Sequence, residues 1–97
     1  MNSLEDIKNI LNGHKKELQT KFRVKNIGVF GSYVRGENKS ESDLDILVEF
    51  DEPVGLFAFM DLEDYIENLV HTKIDLVSAK ALKPRIGQRV LKEVVYI

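Results

Sequence analysis

Behind Ser3, a good N-cap with Asp6 three positions later, the apolar residues Leu4, Ile7, Ile10, Leu11, Leu18 and Phe22 recur at helical spacing, which predicts an amphipathic helix to about Lys21. Asn26 to Phe30 (NIGVF) is short, apolar and β-branched and runs into Gly31-Ser32, the pattern of a buried strand ending in a tight turn. Tyr33 to Ser42 is polar, carries Gly36, Asn38, Lys39 and Ser40, and reads as a loop with room for one helical turn after Ser32. Leu44 to Phe50 (LDILVEF) reads as a second strand, placing Leu44, Ile46, Val48 and Phe50 on one face and Asp43, Asp45, Leu47 and Glu49 on the other. Asp51, Glu52, Pro53 and Gly55 interrupt it. A second long helix then follows Leu56, Phe59, Met60, Leu62, Glu63, Ile66, Leu69 and Val70, Lys73 to Val77 forms a third strand, and Pro84 opens a last helix through about Glu93, leaving Val94 to Ile97 as an apolar tail.

This order predicts an α/β (α+β) fold, a small mixed three-stranded sheet flanked by helices. The connection between the first two strands contains too little helix for a crossover, so those two are expected to pair antiparallel.

Composition narrows the class. The 97 residues are 43% hydrophobic and 31% charged, with 16 acids, 14 bases and no Cys, which fits one small soluble domain over 1–97. A net charge of −2 argues against binding bulk nucleic acid, because that binding scales with the phosphates neutralised by Lys and Arg. No apolar run approaches the roughly 20 residues needed to span a bilayer, and the N-terminus has no signal-like apolar region, so a cytoplasmic protein with no membrane partner is expected. Without Cys, and with His14 and His71 far apart, any metal must be held mainly by oxygen, which favours hard ions such as Mg2+.

Three features fall at one edge of the expected sheet: the Gly31-Ser32 turn, the pair Asp43 and Asp45, and Asp75 in the third strand. A Gly-Ser turn can simply end a strand, and Ser-Asp before a strand is ordinary turn material. Asp45 and Asp75 are harder to dismiss, because Asp is disfavoured inside strands and an unpaired buried carboxylate costs several kcal/mol. Carboxylates at i and i+2 have Cα atoms about 6.5–7 Å apart on one sheet face, close enough to share metal ions. Two divalent cations about 3.5–4 Å apart could hold the attacking and leaving oxygens of an in-line phosphoryl displacement. Backbone N–H groups at the Gly31-Ser32 turn can line a phosphate, with the Ser hydroxyl as a further donor. The chemistry implied is nucleotide transfer.

Gly31-Ser32, ten residues, then Asp43-Leu44-Asp45, within GSYVRGENKSESDLDILVEF, resembles the G-S-x(10)-D-x-D signature of the DNA polymerase beta-like nucleotidyltransferase superfamily. Chance would supply this match in about one of ~10³ such chains. Arg35-Gly36 and Ser42 resemble the GSxxRG and SDxD extensions of the smallest members, the minimal nucleotidyltransferases (MNT), and the resemblance extends to the C-terminal KPR…LKEVVYI. It implies the nucleotidyltransferase fold, with Asp43 and Asp45 holding two Mg2+ ions. Asp75 would complete the metal and catalytic set and help deprotonate the acceptor hydroxyl, while Gly31 and Ser32 would hold the triphosphate of ATP. Arg35 and Ser42 join the nucleotide-binding set by the same likeness, although Arg35 reads equally as the partner of a loop acid.

Minimal nucleotidyltransferases are similar in being encoded beside a helical HEPN-domain protein, forming toxin–antitoxin pairs in which the MNT component transfers AMP from ATP to a tyrosine of the HEPN toxin. The expected function is therefore an Mg-dependent adenylyltransferase antitoxin in a hetero-oligomer. Two other readings stay open: an antitoxin acting by stoichiometric binding and occlusion, and a small-molecule nucleotidyltransferase that gains an acceptor pocket by homodimerisation. With 97 residues there is no room for an acceptor domain, so the acceptor is expected to bring its own surface.

Charge is unevenly spread. Asp51 to Glu67 holds six acids and no base, and Lys73 to Lys92 six bases, which reads as solvated helix faces or as an acidic docking face and a basic end that attracts triphosphate. Lys73 is the base expected to feel the site. His14 and His71 read as surface or boundary residues, Phe57, Phe59 and Met60 as core and interface. Tyr33 reads as a half-buried loop residue or a cover over the nucleotide.

Overall fold

The computed structural model describes residues 3–39 and 41–97, so Ser40 of the predicted loop lies outside them. The single N-terminal helix expected from periodicity is two, α1 (Leu4–Gly13) and α2 (Lys15–Phe22). Ser3 and Asp6 form the capping box at its start. The break falls where Gly13, a poor helix former, meets His14, whose backbone leaves helical geometry (φ −114°, ψ 16°) while its Nδ1–H donates to the Ile10 carbonyl at 2.9 Å. Arg23 closes α2 in the left-handed region and turns the chain into β1 (Val24–Phe30), which starts two residues before the apolar run because Val24 is itself buried and pairs with Phe50.

After β1 come the one-turn helix α3 (Ser32–Arg35), β2 (Leu44–Phe50), α4 (Leu56–Val70), β3 (Ile74–Ser78), a 3-10 turn at Ala79–Ala81, α5 (Pro84–Glu93) and β4 (Val95–Tyr96). The sheet order is β3-β2-β1-β4, with β1–β2 antiparallel and β2–β3 parallel, the mixed sheet expected from the short loop. Its strand count is four, not three. The apolar tail pairs antiparallel with β1 through Gly28↔Tyr96 and Val29↔Val95, and the Ile97 N–H donates to the Ile27 carbonyl at 2.9 Å. Without it β1 would present a row of unpaired backbone groups to solvent. A two-residue strand leaves no alternation to read. Gly28 makes the approach possible, because a Cβ there would stand 2.6 Å from Val94 Cγ2.

Helices α1, α2 and α4 bury Ile7, Leu11, Leu18, Leu62, Ile66 and Val70 in one core cluster with Val29, Leu44, Ile46 and Val48 of the sheet. The alternation in β2 then forces Asp45 to the opposite face, where α5 contributes to the same cleft. Phe57, expected in the core or an interface, is 80% exposed, and Met60 is also exposed; Phe59 alone of the three packs against the core, its ring 6.3 Å from Phe50. Among the described residues no helix is long and apolar enough to cross a membrane.

Candidate active site

The last rung of the β1–β2 ladder pairs Phe30 with Asp45, and the parallel β2–β3 ladder pairs Asp45 with Asp75. Register alone therefore lines up Asp45 and Asp75 in adjacent strands, on one face. Asp43 is exposed and lies one residue before β2; Asp45 is half-buried and Asp75 exposed. The Leu44 N–H donates to the Lys73 carbonyl at 2.9 Å, fixing the start of β2 to the entry of β3.

Gly31 follows directly on Phe30. Its φ of +79° and ψ of −150° are open to glycine and strained for other residues. A Cβ at this position would run into Asp45 Oδ2, so the turn backs directly onto the carboxylate. Ser32, half-buried, starts α3, and Arg35 ends it. The bend, Asp45, Arg35, Ile86, Arg89 and Glu93 line a cleft of about 200 Å³.

Asp45 is the acid of the cleft whose carboxyl is raised. Burial, reinforced by the charges of Asp75 and Asp43, pushes its carboxyl up from 3.8 to about 6, against a smaller opposing pull from Arg35. Thus all three sequence-predicted aspartates meet electrostatically. Among the described residues no three His, Cys, Asp or Glu side chains stand close enough to grip an ion as placed; Asp43 reaches the Asp45–Asp75 pair through its field.

Other predicted residues fare differently. Arg35 donates from Nε to Glu37 Oε1 at 2.8 Å and from Nη1 to Glu93 Oε1 at 2.6 Å, so of its two readings the pairing with acids is the one on display. The Ser42 hydroxyl accepts from the Lys39 N–H at 2.8 Å and so closes the loop before β2. Tyr33 is 6% exposed and belongs to the core, which removes it as a cover for a base. Lys73 is exposed and meets the site through its carbonyl.

Glu93 was not legible as a site residue. It lies in α5, some sixty positions from the motif, yet it accepts from the Gly31 N–H at 2.9 Å as well as from Arg35. The signal available was an acid in the last turn of a helix, where the dipole favours a cation.

The family model described as nucleotidyltransferase domain matches residues 11–97. A protein of Thermococcus cleftensis named protein adenylyltransferase MntA is 54% identical over 97 residues, covering 100% of this chain and 98% of that protein. A solved structure provisionally described as a minimal nucleotidyltransferase superposes with a TM-score of 0.82 at 33% identity, over 97% of this chain and 95% of that one. The same fold recurs, with a TM-score of 0.67 at 21% identity over 93% of this chain and 70% of that one, in a complex of a tri-AMPylated Shewanella oneidensis HEPN toxin with an MNT antitoxin.

Proposed function

The chain belongs to the nucleotidyltransferase domain family, and from that premise we propose that it is an Mg-dependent protein adenylyltransferase that moves AMP from ATP to a tyrosine hydroxyl of a HEPN-domain partner, acting as its antitoxin in the cytoplasm. One observation carries the reading: Asp45 stands beside Asp75 by strand register, with the Gly31 bend against its carboxylate. The donor set suits Mg2+. Every available ligand is a carboxylate, and the mutual repulsion that raises Asp45 is what a dication relieves.

Asp43, Asp45 and Asp75 would hold two such ions, which when bound supply positive charge to the triphosphate and to the attacking and leaving oxygens. Gly31 and Ser32 would hold the triphosphate. Asp75, exposed at the rim, would accept the proton of the incoming hydroxyl. That oxygen bonds to the α-phosphorus as the bond to the bridging α–β oxygen breaks, and pyrophosphate leaves. Arg35 commits Nε to Glu37 and Nη1 to Glu93, and the guanidinium's remaining N–H groups would add a contact to phosphate. Ser42 would serve by shaping the loop that precedes Asp43. The protein adenylyltransferase activity for which the Thermococcus relative is named, and the AMPylated HEPN toxin in the Shewanella complex, support an AMP-transfer reading with such a partner.

The test is to incubate the helical HEPN-domain partner with ATP, Mg2+ and this chain and weigh the intact partner. An AMP-sized increment is expected; none on a folded partner would refute the proposal. Occlusion without chemistry has one observation in its favour: Leu56, Phe57 and Met60 are exposed on α4 within the acidic segment Asp51 to Glu67. If the Asp75→Asn protein silences the partner as well as the parent, occlusion suffices.

A further inference from the structure

Glu93 is the last residue of α5, and its side chain is only 23% exposed. Both oxygens are engaged: Oε2 accepts from the Gly31 N–H at 2.9 Å and Oε1 from Arg35 Nη1 at 2.6 Å. The Arg35 bond, above all, holds this carboxyl below its usual range, and the charge of Arg89 helps.

The Gly31 N–H is the first amide beyond the β1–β2 ladder, which ends at Phe30↔Asp45, so the sheet offers it no partner. Gly31 is also the residue whose Cα abuts Asp45 Oδ2. Any shift of its peptide therefore changes the spacing between the bend and the carboxylate. Glu93 is well held to control that spacing. One residue, Val94, separates it from β4, which is paired to Val29 and Gly28 of β1. Both ends of the bridge are thus anchored on the same strand.

We propose that Glu93 is a positioning residue: by tying the Gly31 amide and the Arg35 guanidinium to the end of α5, it sets the phosphate-holding bend against Asp45 before nucleotide arrives. This rests on the nucleotidyltransferase reading. The opposite role, a carboxylate that merely occupies the donors a triphosphate needs, has the opposite sign, because removing it would tighten nucleotide binding.

The experiment titrates the 97-residue chain with Mg–AMP-PNP by calorimetry, comparing the parent with Glu93→Ala, Glu93→Gln and Ile66→Val. Ile66 is fully buried in α4 and serves as a stability control. Glu93→Ala is expected to weaken binding by about tenfold, and Glu93→Gln, which keeps an acceptor for the Gly31 N–H, to stay within about threefold of the parent. Ile66→Val should bind like the parent despite its lower Tm. Unchanged or tighter binding by Glu93→Ala overturns the inference, as does an equal loss in Ile66→Val. A parent that binds no Mg–AMP-PNP overturns the nucleotidyltransferase reading and this inference with it, whereas a binding parent with an unaffected Glu93→Ala overturns this inference alone.

Discussion

Asp45→Asn should abolish AMP transfer and at the same time stabilise the fold. The Asp45 carboxyl titrates near 6 in the folded chain against an ordinary 3.8, because burial and the charges of Asp75 and Asp43 penalise its ionised form. With the folded value raised, the native state keeps its proton after the unfolded state has lost it. Native stability therefore falls as pH rises from about 4 to about 6, and the deficit persists above that. Taken whole, such a shift corresponds to about 3 kcal/mol. The carboxylate is only partly buried and solvent screens it, so ~1–2 kcal/mol is the share to expect. Asn has nearly the same shape and no charge, and escapes the deficit. Thermal unfolding at pH 7.5 should give the variant a Tm higher by about 5–10 °C, using the usual sensitivity of a domain this size. The advantage should shrink through the same pH window and disappear below about pH 4. A variant less stable than the parent at pH 7.5, or a Tm gap that does not vary with pH, would refute the assignment of Asp45 to a crowded acidic site.

Gly31→Ala forces an L-residue to φ +79° and drives its Cβ into the Asp45 carboxylate, so a loss of about 2–4 kcal/mol is expected by urea unfolding, together with loss of transfer. Mg–AMP-PNP affinity, followed by calorimetry, should be flat above about pH 7 and fall up to tenfold per unit below about pH 6, because the metal must then displace the Asp45 proton. Ser3→Ala removes the capping box of α1 and should cost about 1 kcal/mol, read as a lower Tm with transfer intact.

The strands and long helices were legible because their signals are local. Leu44 to Phe50 alternates except at Leu47, which is apolar and buried on the face of Asp45 and Glu49, and Pro84 marks the start of α5 by its own backbone chemistry. The candidate site could be read where its residues are close in sequence: Gly31, Ser32, Asp43 and Asp45 lie within fifteen positions of one another. Asp75 could be singled out as an acid misplaced in a strand, but its place beside Asp45 is a matter of register between strands. What escaped is non-local or weakly encoded. The N-terminal helix breaks at Gly13-His14 although its apolar spacing continues across the break, β4 is too short to alternate, and Glu93 becomes part of the site only because the tail pairs with β1. Tyr33, read as half-buried, is buried, and Phe57, read as core and interface, is exposed, since aromatic character fixes how much area a residue can bury and tertiary packing decides which residue buries it.

On the proposed reading, three aspartates beside the Gly31 bend hold divalent cations together with a nucleotide. Electron paramagnetic resonance of Mn2+, titrated into the 97-residue chain with AMP-PNP in excess of the protein and corrected for Mn2+ held by the nucleotide alone, counts the ions directly. Two ions bound per chain are expected, with a loss of that binding in Asp45→Asn. No nucleotide-dependent Mn2+ binding by the parent, or undiminished binding by Asp45→Asn, would contradict that reading.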